Sequence, residues 1–174
     1  MKLGVWIGAG VMALLLGAAG ALAGGPGLPQ PPASAGPEAY VRWIYGHYKP
    51  NSDFKAETAY APGLRALFKM NARLLGPDNV GENDDDDEFC QCQDFETLRV
   101  TRLQTAADGP RRATAHVSFA NLDANDSVTL KLVLTPAGWR VDDVMHPRPK
   151  ASPSLRARLV DENRRLKAGA RPAP

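Results

Sequence analysis

Between Arg112 and Ala120, apolar Ala113, Ala115, Val117 and Phe119 alternate with Arg112, Thr114, His116 and Ser118. That strict alternation predicts a half-buried strand. Ser127 to Thr135 repeats it with Val128, Leu130, Leu132 and Leu134 on one face, after an Asn- and Asp-rich turn over Asn121 to Asp126. Pro136-Ala137-Gly138 then predicts a tight turn into a strand from Trp139 to Met145, making an antiparallel meander. A less regular stretch, Thr97 to Thr105, predicts one more strand.

The first half of the chain has a helical period instead. Pro37, in a favoured first-turn position, precedes Tyr40, Trp43, Ile44, His47 and Tyr48, and Pro50 is the expected stop. A second helix is predicted from Pro62, with Leu64, Leu67, Phe68, Asn71, Leu74 and Leu75 on one side and Gly76-Pro77 ending it. Ser152-Pro153 reads as the start of a third, basic helix with a thin apolar stripe of Leu155, Leu159 and Leu166. Short amphipathic helices need a surface to lie on. Helices followed by hairpin-linked strands predict a single α+β domain, with helices on one face of a curved, cone-like antiparallel sheet.

The ends of the chain follow other rules. Residues 1–23 read as a signal peptide, because Lys2 precedes an uncharged stretch ending in Ala21-Leu22-Ala23, with cleavage expected after Ala23. Glycine dilutes that stretch and no basic stop-transfer cluster follows, so a cleaved leader is preferred to a membrane anchor. Residues 24–36 are rich in proline and glycine and predict a disordered linker. Residues 37–168 form the expected domain and 169–174 a disordered tail. The expected location is therefore periplasmic or secreted, with no membrane association after cleavage.

A net charge of +2 gives no global field for nucleic acid, and the basic residues cluster only near the C-terminus without interleaved aromatics. The local distribution is uneven. Asp78 to Glu96 carries nine carboxylates and no Lys or Arg, whereas Arg148 onward carries eight basic residues against Asp161 and Glu162. These blocks either meet in space or are separately solvated, and the expectation is solvation, since surface ion pairs contribute little.

Cys90 and Cys92 are the only cysteines. In an exported protein a disulfide between them is the first expectation, with unpaired or intermolecular thiols and redox or metal roles as alternatives. So short a ring demands a tight bend. Asp84 to Glu88 lacks the glycine and distant glutamate of a calcium loop, so it is expected to be a solvated loop, with calcium binding left open. One Cys-x-Cys is no zinc signature, and neither metal nor cofactor is expected. The chain has no Gly-x-Ser-x-Gly, no His-Glu-x-x-His and no phosphate-cradling glycine loop. Asp94 and Asp142 are the candidate acid-base carboxylates should the domain be an enzyme. Tyr40, Trp43 and Ile44 read as core, while Tyr45, His47 and Tyr48 have polar tips suited to the rim of an apolar cavity.

Four blocks carry a family resemblance: Tyr40-Val-Arg-Trp-Ile-Tyr-Gly-His-Tyr48, Tyr60-Ala-Pro-Gly-Leu-Arg-Ala-Leu-Phe68, Phe89-Cys-Gln-Cys-Gln-Asp-Phe95 and Gly138-Trp-Arg-Val-Asp-Asp143. Together they resemble the bacterial secreted family catalogued as domain of unknown function 3828, over about Pro37 to Leu159. The resemblance implies a shape similar to nuclear transport factor two-like cone folds. It places any ligand pocket around Tyr45, Tyr48, Asp94 and Trp139. That fold hosts binders, isomerases and non-catalytic partners alike, so it selects no function. The leading expectation is a non-enzymatic exported domain that binds a small molecule or an envelope protein. The alternatives are an isomerase- or hydrolase-type enzyme using Asp94 or Asp142, and an immunity-like inhibitor presenting Asp84 to Glu88 to a basic partner.

Overall fold

The computed structural model describes residues 30–50, 52, 54–77, 79, 81, 87–92, 95–96, 98–147 and 154–170. The expected signal peptide over residues 1–23, Asp94, residues 84–86 and Ser152-Pro153 lie outside the described residues. Helix α1 spans Gly36–Tyr45, α2 Pro62–Leu75 and α3 Leu155–Lys167, and strands β1 (Arg99–Gly109), β2 (Arg112–Asn121), β3 (Ala124–Thr135) and β4 (Gly138–Met145) lie between α2 and α3. The strands form one antiparallel sheet in the order β1-β2-β3-β4, curved and unclosed, and the three helices pack against it. This is the α+β domain expected from the pattern. Among the described residues no helix is long and apolar enough to cross a membrane.

The alternating positions explain the core. Ala113, Ala115, Val117 and Phe119 of β2 are buried, as are Val128, Leu130 and Leu132 of β3. They pack with Tyr40, Val41 and Ile44 of α1, Leu64 of α2, and Leu155 and Leu159 of α3. Each buried Val, Leu, Ile or Phe side chain removed from water contributes about 1.5–3 kcal/mol, and each alanine methyl less. The outward face of β2 carries exposed Arg112 and His116. Gly138 closes the β3–β4 turn at φ +94°, a backbone region that side chains disfavour.

Several boundaries move, each for a local reason. Helix α1 ends at Tyr45 and does not run on to Pro50, because Gly46 follows and the His47 ring turns back, its Nδ1 donating to the Trp43 carbonyl at 2.7 Å. The β2–β3 turn is tighter than expected. Leu122 takes φ 52°, so Ala124 to Asp126 pair with Asn121 to Phe119 instead of forming a loop. Ser154 is the cap of α3, its side chain accepting from the Ala157 amide, and Leu155 opens the helix. The expected linker's last residues, 33–35, form a 3-10 turn, and Gln30 donates to the Ala137 carbonyl at 3.2 Å.

The thin stripe of α3 is completed by polar residues. Asn163 and Glu162 are buried, Asn71 Nδ2 donates to Asn163 Oδ1 at 3.2 Å, and Asn163 Nδ2 donates to the Leu67 carbonyl at 3.1 Å. This pairing adds a polar link between α2 and α3. A bulge in β4 opposite Lys131 and Leu132 turns Asp142 and Asp143 toward the start of α3. There Asp143 Oδ1 accepts from the Arg156 amide at 2.9 Å.

Candidate ligand-binding site

The segment before α2 sets the site. Pro62 is the first residue of α2, and the residue before a proline favours extended backbone; Ala61 sits at φ −62°, ψ 153°. The extended Tyr60-Ala61 step lies along β4, with Tyr60 bridged to Val141 and the Ala61 amide donating to the Val141 carbonyl at 2.7 Å. Tyr60 is thereby held beside β4. Its ring stacks on Phe68 at 5.3 Å and packs against Phe89 at 5.4 Å.

The opposite wall is the turn 87–92. Cys90 and Cys92 are joined by a disulfide, with their Cα atoms 5.1 Å apart, and Gln91 between them takes φ 50°. Inside this turn the Cys90 and Gln91 amides donate to the Asp87 carbonyl at 3.2 and 2.7 Å, and the Asp87 amide donates to the Cys92 carbonyl at 3.2 Å. Phe89 is fully buried, and its carbonyl accepts the Tyr45 hydroxyl at 2.9 Å. A ring of three residues gives a loop-entropy stabilisation of only about 1.5 kcal/mol. The double change Cys90→Ala with Cys92→Ala is therefore expected to lower the unfolding free energy by about that amount in urea titrations, and no more.

This turn corrects the expectation of separately solvated charges. Glu88 is buried at 7% exposure, with Arg158 Nη2 on its carboxylate oxygens at 2.6 and 2.7 Å and His146 Nε2 donating at 3.0 Å. The acidic and basic blocks do meet. Helix α3 lies across β4 and carries Arg158 inward, and a buried carboxylate requires such a partner. His146 Nδ1 and Arg158 Nε find no further hydrogen bond among the described residues.

Asp87 is held differently. Both its carboxylate oxygens accept from the Tyr48 hydroxyl at 2.8 Å, and Oδ1 also accepts from the Phe89 amide at 2.8 Å. No Lys, Arg or His pairs with it among the described residues. Burial pushes its carboxyl above the ordinary range and Glu88 adds to that, against the opposing pull of the Phe89 amide and the Tyr48 hydroxyl. Burial, then Asp87, likewise holds the Tyr48 hydroxyl far above its usual value, so it stays a donor. A carboxyl raised in the folded state binds more protons than in the unfolded chain, so its contribution to stability falls as pH rises from about 4 through the folded value. Asp87→Asn is expected to remove that falling slope and to be no less stable at pH 7 than the parent, in denaturation curves recorded across pH.

Between these walls lies an open cavity of about 730 Å³, lined by Lys55, Ala56, Glu57, Thr58, Tyr60, Arg65, Phe68, Lys69, Ala72, Asp87 and Glu88. Tyr60 is only 4% exposed, and its hydroxyl makes no hydrogen bond among the described residues. Burial, with Asp87 and Glu88 nearby, holds that hydroxyl well above its ordinary value. Arg65, Phe68, Lys69 and Ala72 fall on one face of α2 at helical spacing. The groove thus has aromatic walls at Tyr60 and Phe68, cations along α2 and a desolvated carboxylate on the far side.

Of the sequence-derived candidates, Asp94 lies outside the described residues and the others do not border this groove. Tyr45, Tyr48 and Trp139 are core residues at 4%, 2% and 8% exposure, and none borders the groove. The polar tips of Tyr45 and Tyr48 point at the 87–92 turn and hold it from behind. Asp142 borders a smaller cavity of about 320 Å³, where Arg156 contacts it at 2.5 Å and Arg112 at 3.7 Å. It is thus engaged by two guanidiniums and faces the smaller cavity rather than the groove. Among the described residues no three His, Cys, Asp or Glu side chains converge to hold a metal ion.

Sequence reading overlooked Tyr60, Arg65, Lys69 and Asp87. The available signal was the Tyr-Ala-Pro entry to α2, followed by polar residues on the helix face beside its apolar stripe. No protein-family model, curated protein or solved structure matches the chain. The family resemblance rests on the four sequence blocks alone.

Proposed function

We propose that this chain is an exported, non-catalytic binding domain that receives a small molecule in the groove between the 56–59 turn, α2 and the 87–92 turn. The groove itself carries the reading. Its volume of about 730 Å³ falls within the ~300–1,000 Å³ of ligand sites, with aromatic walls and few convergent polar groups. Export is supported by the leader-like residues 1–23 and by the Cys90–Cys92 disulfide, a bond that persists in oxidising compartments. The likeness to domain of unknown function 3828 belongs to the same proposal.

A thermal-shift screen of the purified protein against small metabolites tests it, since a ligand at a hundredfold its Kd adds about 2.7 kcal/mol of stability. Ala72→Trp, at an exposed position of α2 facing the groove, fills the space without touching the core. Hits are expected to lose their shift in that variant. Hits that survive it would place binding elsewhere, and a flat screen would turn the reading toward an envelope protein partner.

One observation favours a second reading, an enzyme of the isomerase or hydrolase kind. Asp87, a desolvated carboxylate at the edge of a cavity, has the setting of a general base. Turnover of a bound hit that Asp87→Asn abolishes, with binding intact, would establish it.

A further inference from the structure

Resting on the proposal that the groove binds a small molecule, we infer that its ligand is zwitterionic, with a protonated amine held at Asp87 and Tyr60 and an acidic group held by Arg65 and Lys69. The argument starts from what the two carboxylates of the 87–92 turn lack. Glu88 has its cation in Arg158, 2.6 Å away, and needs nothing from a ligand. Asp87, its neighbour, has only a hydroxyl and an amide among the described residues. Carboxylates withdrawn from water are ordinarily paired with a cation, and Asp87, partly buried and with no cation beside it among the described residues, borders an open cavity through which a cation can arrive.

The second observation is independent of charge. Tyr60 is more than nine-tenths buried and borders the same cavity, yet its hydroxyl has no hydrogen-bond partner among the described residues. Its stacked pair with Phe68 offers π surface, which attracts organic ammonium groups. An ammonium group also brings several N–H donors, enough to reach the unused acceptor capacity of Asp87 and the oxygen of Tyr60 together.

The other end follows from α2. Arg65 and Lys69 lie one turn apart on the groove-facing side, exposed and without an ion pair among the described residues. A purely cationic ligand would be repelled there and a purely anionic one repelled by Asp87. A molecule carrying both charges satisfies the two walls, with its carbon chain along Tyr60 and Phe68.

Calorimetric titration of the full protein with straight-chain ω-amino acids, and with the amine and carboxylate of each matching length, tests the inference. At least one ω-amino acid is expected to bind roughly tenfold or more tightly than either half-molecule, because each charged hydrogen bond adds to the other. Asp87→Asn keeps an acceptor for the Phe89 amide and is expected to fold normally. It should cost the ω-amino acid and the amine about tenfold in affinity and leave the carboxylate bound no more weakly, since a repulsion is removed, while the double change Arg65→Gln with Lys69→Gln should cost the ω-amino acid and the carboxylate about tenfold and leave the amine bound no more weakly. A carboxylate that binds as tightly as its ω-amino acid, an Asp87→Asn protein that binds unchanged, or a series that does not bind at all would overturn the inference. The groove reading stands or falls separately: it survives if any other ligand is lost in Ala72→Trp, and fails if that variant never alters binding.

Discussion

Replacing Arg158 by alanine is expected to lower the unfolding free energy by about 3 kcal/mol in urea titrations at neutral pH. The side chain sits on both oxygens of Glu88, whose own side chain is only 8% exposed. Removing the guanidinium strands a buried carboxylate with His146 as its remaining partner among the described residues. Arg158 is about one-third exposed, which keeps the figure at the lower end of the range for broken buried pairs. Arg164 provides the contrast. It pairs with Asp161 on the surface of α3, and Arg164→Ala is expected to cost no more than about 0.5 kcal/mol. Equal, small losses for the two variants would mean that the acidic and basic blocks do not meet in solution.

The second large effect is expected at Phe89. Its ring is wholly buried, it contacts Tyr60, and its carbonyl receives the Tyr45 hydroxyl. Phe89→Ala should cost about 3–4 kcal/mol, the usual price of an emptied aromatic site. The same substitution removes the support behind Tyr60, so ligand shifts in the thermal screen should disappear with it. A loss below about 1 kcal/mol would mean that the 87–92 turn is not anchored in the core.

These two effects concern the segment that the sequence misrepresents most. Its run of carboxylates predicts a solvated loop, because like charges repel and none carries an adjacent cation. What overrides that logic is non-local. Arg158 and His146 arrive from α3 and the end of β4, and Tyr48 arrives from beyond the end of α1. Nothing in the spacing of Asp87 and Glu88 announces those partners. The cysteines alone hinted at a fixed bend there, and the disulfide with Gln91 at positive φ is that bend.

The sheet and helices were far more legible, since alternation and helical period are local signals that burial enforces. Ala113, Ala115, Val117 and Phe119, and Val128, Leu130 and Leu132, face the core as their pattern requires. Helix α3 was harder. Its inner face includes Glu162 and Asn163, and the amide pair with Asn71 reads as solvent-facing until α2 is packed against it. The tyrosines show a different limit. Polar tips on Tyr45 and Tyr48 suggested a pocket rim, but such a tip can equally anchor a buried turn, and composition does not distinguish the two.

Asp87 connects stability to the proposed function. A partly buried carboxylate whose proton is held more tightly through burial, with no cation beside it among the described residues, weakens the fold at neutral pH, and such costs concentrate at functional sites. The disulfide, the Tyr48 hydroxyl and the Phe89 ring hold it at the groove despite that cost. An Asp87→Asn protein that is as stable as the parent but poorer at binding would have the expected signature of a site residue.

The most direct test of the groove is an amide chemical-shift map of the protein with a ligand found in the thermal screen. The expected shifts fall on Lys55 to Tyr60, on Arg65 to Ala72 and on Asp87 and Glu88, with the outer face of the sheet at His116 and Thr129 unchanged. Shifts confined to that outer face, or to Asp108, Lys131 and Asp142 around the smaller cavity, would contradict the account.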